Sequence, residues 1–513
     1  MMGESLVAFY KDKVKKEWKI AFYAAFISCL LIHIYKFANT LPNHDSFFNV
    51  YIDQDMTISG RWFLQYACGI SSYFDLPWFN GLLCAVWLGI TAAAVTELFE
   101  IRNSVVIVLS AVVLTATPST TETFFFGFTA DGYLLGLMLS AVAACLSCKS
   151  RTWRGYALAG VCLCLSCGIY QAYVSFAVVL CICYLVLRLL NREMMVRDSW
   201  KWIGKHMLIY GGALAAYYGI WKAVLLLTGQ TATDYQGISE VGRVGVSTLV
   251  SGAVKSVKNV MFYFLEWNIL EHPITLYAAL NIVFIIAFGG VILAAVMKSG
   301  TNKDLPRLGM VIFCLVASIP MISMWNFLSE SMMYRPMMLH SIVVFYIFAL
   351  ILFDQYVDAK ISTLFGLFMA VVLFNFAVMA NISYFYLDKC DEKTTYMGNR
   401  MMERIEEVTE DKTVTKIAFV GTRTNDVVIS NEAPGNCVHM LTELIEADLL
   451  YDNEHLYVYF REVHGVDYAK TSFQEIAVME KDSQVQQMGV WPAEDSVAVI
   501  DDVLVIKISQ LAE

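Results

Sequence analysis

The stretch from Asn39 to Trp78 gathers Asp45, Asp53 and Asp55 with the run Ser59-Gly60-Arg61-Trp62. A carboxylate can take a proton from a hydroxyl, and a guanidinium fork grips phosphate through two parallel N–H bonds. Acids beside an arginine therefore suit transfer of a group from a phosphate-linked donor. Three further stretches carry similar groups: Glu122 with Asp131; Asp234, Glu240, Arg243, Glu266, Glu271 and His272; and Glu330 with Tyr334-Arg335-Pro336. Placed on one face of a membrane, the four stretches can share one reaction centre.

The elements that must position them are read from hydropathy. Hydrophobic residues make up 58% of the 513 and charged ones 16%, and mean hydropathy is +0.57. That balance excludes an ordinary soluble protein and indicates an α-helical polytopic membrane protein. Apolar runs fall at about 18–38, 79–99, 104–120, 130–147, 155–170, 173–190, 207–228, 274–297, 308–325, 337–354 and 361–383. They give about eleven spans, and an odd number puts the termini on opposite sides. The run 104–120 can continue as a broken or re-entrant segment through Pro118-Ser119-Thr120-Thr121-Glu122.

Short loops rich in Lys and Arg mark the cytoplasmic side. The N-terminal lysines, Arg102, Lys149, Arg151 and Arg154, the series Arg188, Arg192, Arg197, Lys201 and Lys205, then Lys298, Lys303, Arg307 and Lys360 all fall on one side. The N-terminus is thereby expected in the cytoplasm, with the four acid-bearing stretches and the C-terminus outside. Lys11-Asp12-Lys13-Val14-Lys15-Lys16 precedes a first run without a small-residue cleavage site, the pattern of a retained signal anchor. Lys36 and Lys222 sit near outer ends of their runs, from which they can snorkel.

The composition turns soluble near Tyr384, which divides the chain into a membrane domain, 1–383, and a small extracytoplasmic α/β domain, 384–513. Strands are expected at Lys416–Gly421, Leu456–Phe460 and Val503–Lys507. Gly421-Thr422-Arg423-Thr424-Asn425-Asp426 lacks the GxGxxG spacing of a nucleotide-binding turn. Cys162, Cys164, Cys167, Cys181 and Cys183 lie in apolar runs with no His or acid at ligand spacing and read as core residues. Cys145 and Cys148 form a lone CxxC without a redox-fold context, and Cys390 could bridge Cys437.

Asn43-His44-Asp45 after the first run, Gly60-Arg61-Trp62, Phe128-Thr129-Ala130-Asp131-Gly132-Tyr133-Leu134 opening the fourth and Tyr170-Gln171-Ala172-Tyr173 at a tight turn carry a resemblance. In their order and common side they resemble the GT-C superfamily, in particular the phage-type and bacterial O-antigen or wall-polymer glucosyltransferases that use polyprenyl-phosphate sugars. The likeness covers roughly the first 380 residues. It implies a cell-membrane hexosyltransferase that moves a hexose, glucose above all, from a polyprenyl-phosphate donor to a cell-surface glycan on the outer face. The implied partners are donor, acceptor and bilayer, with no nucleic acid. A lone departing lipid phosphate makes a metal unnecessary, so neither metal nor cofactor is expected.

The resemblance also implies roles. Asp45 would be the base, Arg61 and Arg335 would hold the donor phosphate, Asp131 would orient the sugar or an arginine, and Tyr170 and Gln171 would stack on the sugar and bind its hydroxyls. His44 stands where family members often carry the first of two acids. Asp53 and Asp55, assigned to sugar or acceptor, therefore stay open as alternatives to Asp45. Plainer roles exist: a solvated loop acid for Asp45, an interfacial anchor for Arg61 or Arg335, a helix cap for Asp131. Three other functional classes fit the same composition: a lipid-linked sugar flippase or transporter, a surface polysaccharide polymerase or ligase, and a structural scaffold without activity.

Overall fold

The computed structural model describes residues 14–49, 51–68, 73–233, 245–266, 274–327, 333–422, 441, 449–450 and 452–511. Asp234, Glu240, Arg243, Glu271, His272, Glu330, Cys437 and residues 423–426 lie outside the described residues. The chain divides into two units, residues 1–40, 51–382 and 437–442 against residues 41–50, 383–436 and 443–513.

In the first unit every apolar run is a helix. They are α1 (Lys16–Ala38), α4 (Pro77–Phe99), α5 (Ser104–Ala116), α7 (Ala130–Lys149), α8 (Trp153–Ile169), α9 (Val174–Leu190), α10 (Val196–Thr228), α12 (Leu276–Lys298), α13 (Leu305–Met321), α14 (Val343–Tyr356) and the first part of α15 (Ala359–Thr409), whose residues from Ser383 on belong to the second unit. Among the described residues, eight helices are long and apolar enough to cross a membrane, and α5, α8 and α13 are shorter apolar helices. The protein is thus a helical polytopic membrane protein with a small sheet.

Boundaries follow local chemistry. Asn103 accepts from Val105 N, Thr152 from Gly155 N, Thr275 from Ala278 N and Asp304 from Arg307 N, each satisfying an orphan donor of a first turn. Gly229 closes α10 at φ +69°, a left-handed conformation. The segments Gln171–Leu190 and Pro336–Tyr356 are almost wholly buried, whereas α10, α12 and the apolar part of α15 leave most of their side chains facing outward, as lipid-facing helices do. Pro118 interrupts the helix after α5 and opens a short buried helix, α6 (Pro118–Thr123).

Hydropathy alone misses α11 (Val246–Leu265), an amphipathic helix that carries Lys255 and Lys258. Asn381, which opens the sequon-like triplet Asn381-Ile382-Ser383, is helical, its amide spent on Ile32 O (3.0 Å) and Ala377 O (2.8 Å).

The second unit contains a four-stranded mixed sheet built from β1 (Lys416–Val420), β2 (Ala469–Lys470), β3 (Val497–Ile500) and β4 (Val503–Lys507), in the order β2-β1-β4-β3. β1 pairs in parallel with β2 and β4, and β3 pairs antiparallel to β4. Phe419, Leu504 and Ile506 of one face pack with Leu456, Tyr459 and Phe460 and with Cys390, Met401 and Ile405 from the distal part of α15.

The expected strand Leu456–Phe460 is instead part of a helix, α16 (Asn453–His464). Its β-prone residues lie within a helical frame set by Asp452, whose carboxylate caps His455 N at 2.8 Å, and by Gly465 at φ +68°. Burial of Leu456, Tyr459 and Phe460 on one face then overrides strand propensity.

Candidate active site

The run Ser59-Gly60-Arg61-Trp62 is a tight turn. A 3-10 helix, Thr57–Ser59, ends at Gly60 with φ +83°, and Arg61 N returns to Met56 O at 3.1 Å. Three side chains from later in the chain read the carbonyls of this turn. Trp221 Nε1 donates to Thr57 O (2.7 Å), Gln171 Nε2 to Ser59 O (2.9 Å) and the Tyr217 hydroxyl to Gly60 O (3.0 Å). Gln171 Nε2 also donates to the Tyr217 hydroxyl at 3.0 Å. Behind the turn, Phe63 N donates to Gly168 O at 2.8 Å, and Trp62 covers Gly168 so closely that a Cβ there would lie 2.8 Å from its ring. The turn is clamped between the end of α8 and the length of α10.

The clamp aims Arg61. Its Nη1 donates to the Tyr133 hydroxyl at 3.1 Å, and its guanidinium carbon stands 5.0 Å from the Tyr170 ring centre. Tyr133 and Tyr170 are themselves 4.9 Å apart. The aromatic row continues through Tyr173 (5.3 Å) to His340 (5.5 Å). His340 belongs to the 3-10 helix Pro336–Ile342, which Arg335 immediately precedes. Arg61 and Arg335 are both half-buried. A half-buried cation on aromatic faces can attract an anionic group; Tyr133 and Tyr170 beneath it are buried, each 5% exposed.

Glu122 and Asp131 are buried supports of this region. Glu122 Oε2 accepts Met337 N at 2.6 Å, anchoring the 3-10 helix that follows Arg335. Asp131 stands in the first turn of α7, 2% exposed, with Oδ1 accepting Gly132 N at 2.9 Å. The cap position itself belongs to Thr129. Lys36 is only 4% exposed and does not snorkel. A methyl placed on Gly127 would lie 3.6 Å from its Nζ and 3.1 Å from Asp75 Oδ1, so these two charges converge on one spot. An ionisable group inside a span is the signal that should have raised Lys36 to a candidate. Lys222 does lie exposed, over the Trp221 ring at 4.8 Å.

The three aspartates of the first loop separate. Asp55 accepts Thr57 N (3.1 Å) and Gln230 Nε2 (3.2 Å). Burial opposes ionisation there, but the bonds from Thr57 and Gln230 outweigh it and hold the carboxyl below the ordinary aspartate value. A carboxylate so engaged is a poor base. Asp53 is exposed.

Asp45 belongs to the second unit, on the segment 41–50. It lies 3.6 Å from His44 Nε2 and leaves 43% of its side chain exposed. Asn43, bonded to Ser46 Oγ at 2.8 Å, starts the short helix α2 (Ser46–Asn49). Phe47 and Phe48 of α2 pack on Tyr459 (5.2 Å) and His455 (4.4 Å) of the same unit.

Fold and site together define a multispan membrane protein with an arginine- and tyrosine-lined polar centre. The chain belongs to the glucosyl transferase GtrII family, whose model matches residues 34–354, and it is therefore a membrane glucosyltransferase. The matched span contains Asp45, Arg61, Asp131, Tyr170, Gln171 and Arg335. No curated protein and no solved structure gives a significant match.

Proposed function

We propose that this glucosyltransferase takes its hexose from a polyprenyl-phosphate donor and delivers it to a cell-surface glycan on the outer face of the membrane. The observation supporting this reading is Arg61, set by the clamped turn over Tyr170 and bonded to Tyr133. A fixed guanidinium matches a lipid monophosphate, and the adjoining phenols and the Gln171 amide match sugar hydroxyls.

In this reading an aspartate of the first loop takes the proton of the acceptor hydroxyl, whose oxygen attacks the anomeric carbon. The bond from that carbon to the phosphate oxygen breaks, and polyprenyl phosphate leaves with the bonding pair, its charge met by Arg61 and Arg335. Attack opposite to the leaving group inverts the linkage. Asp131 orients the sugar or an arginine, and Tyr170 stacks on the sugar. No metal enters the scheme.

The test is transfer or hydrolysis by purified protein in nanodiscs supplied with short-chain polyprenyl-phosphate glucose, compared with a nucleotide-linked glucose. Turnover of the lipid-linked sugar alone is expected. Turnover of the nucleotide sugar alone would overturn the donor assignment. A single-turnover comparison of Asp45→Asn with Asp53→Asn then assigns the base.

A further inference from the structure

Away from the Arg61 centre, three side chains from three helices point their ligating atoms at one another. Cys148 of α7, Cys181 of α9 and His206 of α10 hold their sulfurs and one ring nitrogen within 4.8 Å of each other. Cys148 Sγ is 3.4 Å from Cys181 Sγ and 3.7 Å from His206 Nε2. Cys181 and His206 are buried and Cys148 half-buried. Sequence spacing cannot show this group, because its members come from separate helices.

We propose that Cys148, Cys181 and His206 bind one zinc(II) ion. A tetrahedral zinc with sulfur at about 2.3 Å and nitrogen at about 2.05 Å has S···S edges of about 3.8 Å and S···N edges of about 3.6 Å. The two separations found lie within a few tenths of an ångström of those edges. The histidine is also oriented for the task. Its Nδ1 lies 2.9 Å from Trp202 O, a carbonyl that can only accept, so Nδ1 carries the proton and Nε2 turns its lone pair toward the sulfurs. The ring rests on Trp202, with centroids 3.6 Å apart. The Tyr210 hydroxyl, 3.0 Å from Cys181 Sγ and 3.2 Å from Ser147 Oγ, borders the fourth position, which it or a water can fill.

Three isolated core residues would explain burial. They would not explain why both sulfurs and the unprotonated nitrogen face one point with the outer nitrogen held by a carbonyl. On binding, each thiol gives one proton to solvent, so the ion and two thiolates leave the site neutral.

The role is structural. Cys148 is fifteen residues along α7 from Tyr133, about 22 Å at 1.5 Å per residue, which takes the ion far from Arg61. It joins α7, α9 and α10, of which α7 carries Tyr133 near its start, α10 carries Tyr217 further along, and α9 directly follows Tyr173. The proposal is independent of the donor reading.

The test uses full-length protein without a polyhistidine tag, purified under reducing conditions from zinc-supplemented cells and dialysed. Elemental analysis is expected to give one zinc per chain, retained by Cys145→Ser. The Cys148→Ser/Cys181→Ser variant should lose it, and His206→Ala should bind at least about tenfold more weakly. Cobalt(II) loading of the wild type should give a thiolate charge-transfer band, a readout that needs no variant. Zinc-free wild type, undiminished zinc in the double variant, or a Cys148–Cys181 disulfide recovered from acid-quenched cells would each overturn the proposal.

Discussion

Gly60→Ala tests whether the turn that carries Arg61 is as tightly determined as its contacts imply. At φ +83° a side chain is disfavoured, and a Cβ would lie 2.5 Å from both Gln171 Nε2 and the Tyr217 hydroxyl. The left-handed conformation costs about 1–2 kcal/mol for a non-glycine residue. Moving the two obstructing groups breaks their bonds to Ser59 O and Gly60 O, at about 1 kcal/mol each. The sum is about 3–4 kcal/mol of stability, measured by reversible denaturation in micelles.

Activity should suffer beyond stability, because Arg61 is the next residue and a displacement of 1 Å at a reacting group can cost about a hundredfold in rate. The Tyr217→Phe change removes one obstacle, so Gly60→Ala/Tyr217→Phe should be less destabilised than the two single effects added. Strict additivity, or wild-type stability for Gly60→Ala, would refute the clamp.

Three further outcomes follow from named groups. Because hydrogen bonds hold the Asp55 carboxyl below its ordinary value, about 3.9, its contribution is fully present above that pH and is lost as pH falls through the lower folded value. Asp55→Asn should therefore flatten the acid limb of the stability profile, below about pH 4. Glu266 is the opposite case: burial raises its pKa, against a bond from Thr275, so its contribution is present below the ordinary value and lost as pH rises through the folded one. Glu266→Gln should accordingly stabilise the protein at pH 7 and leave denaturation at pH 4 little changed. In the second unit, Lys507 is 2% exposed and donates to Val485 O, Gln486 O and Met488 O. Lys507→Met orphans three carbonyls and should cost at least about 3 kcal/mol in thermal or chemical denaturation.

The membrane helices were legible because lipid imposes a long apolar run on each, and all eleven runs are helical. α11 escaped because its apolar residues recur on one face and are interrupted by Ser247, Thr248, Ser251, Lys255 and Lys258 instead of forming a run. α16 was misread because Tyr-Val-Tyr-Phe suits a strand on composition, while the decisive signals, Asp452 and Gly465, stand at its borders. Within the site, Arg61, Tyr170 and Gln171 were visible as polar groups near span ends, and the structure brings these three together. Tyr133, Tyr217 and Trp221 were hidden, since an aromatic with a polar tip inside an apolar run looks like any other core residue. Asp45 was read from the same loop as Arg61, yet the segment 41–50 folds with the second unit, a long-range pairing that no local pattern encodes.

The most direct measurement is the single-turnover rate of polyprenyl-phosphate glucose consumption by wild type and Arg61→Ala in matched nanodiscs. Losing a charged hydrogen bond to the departing phosphate costs about 1.5–3 kcal/mol, which is about 10- to 150-fold in rate. A fall of that size with unchanged stability is the expected result. An Arg61→Ala protein that consumes the lipid-linked sugar at the wild-type rate would contradict the assignment of Arg61 to the donor phosphate.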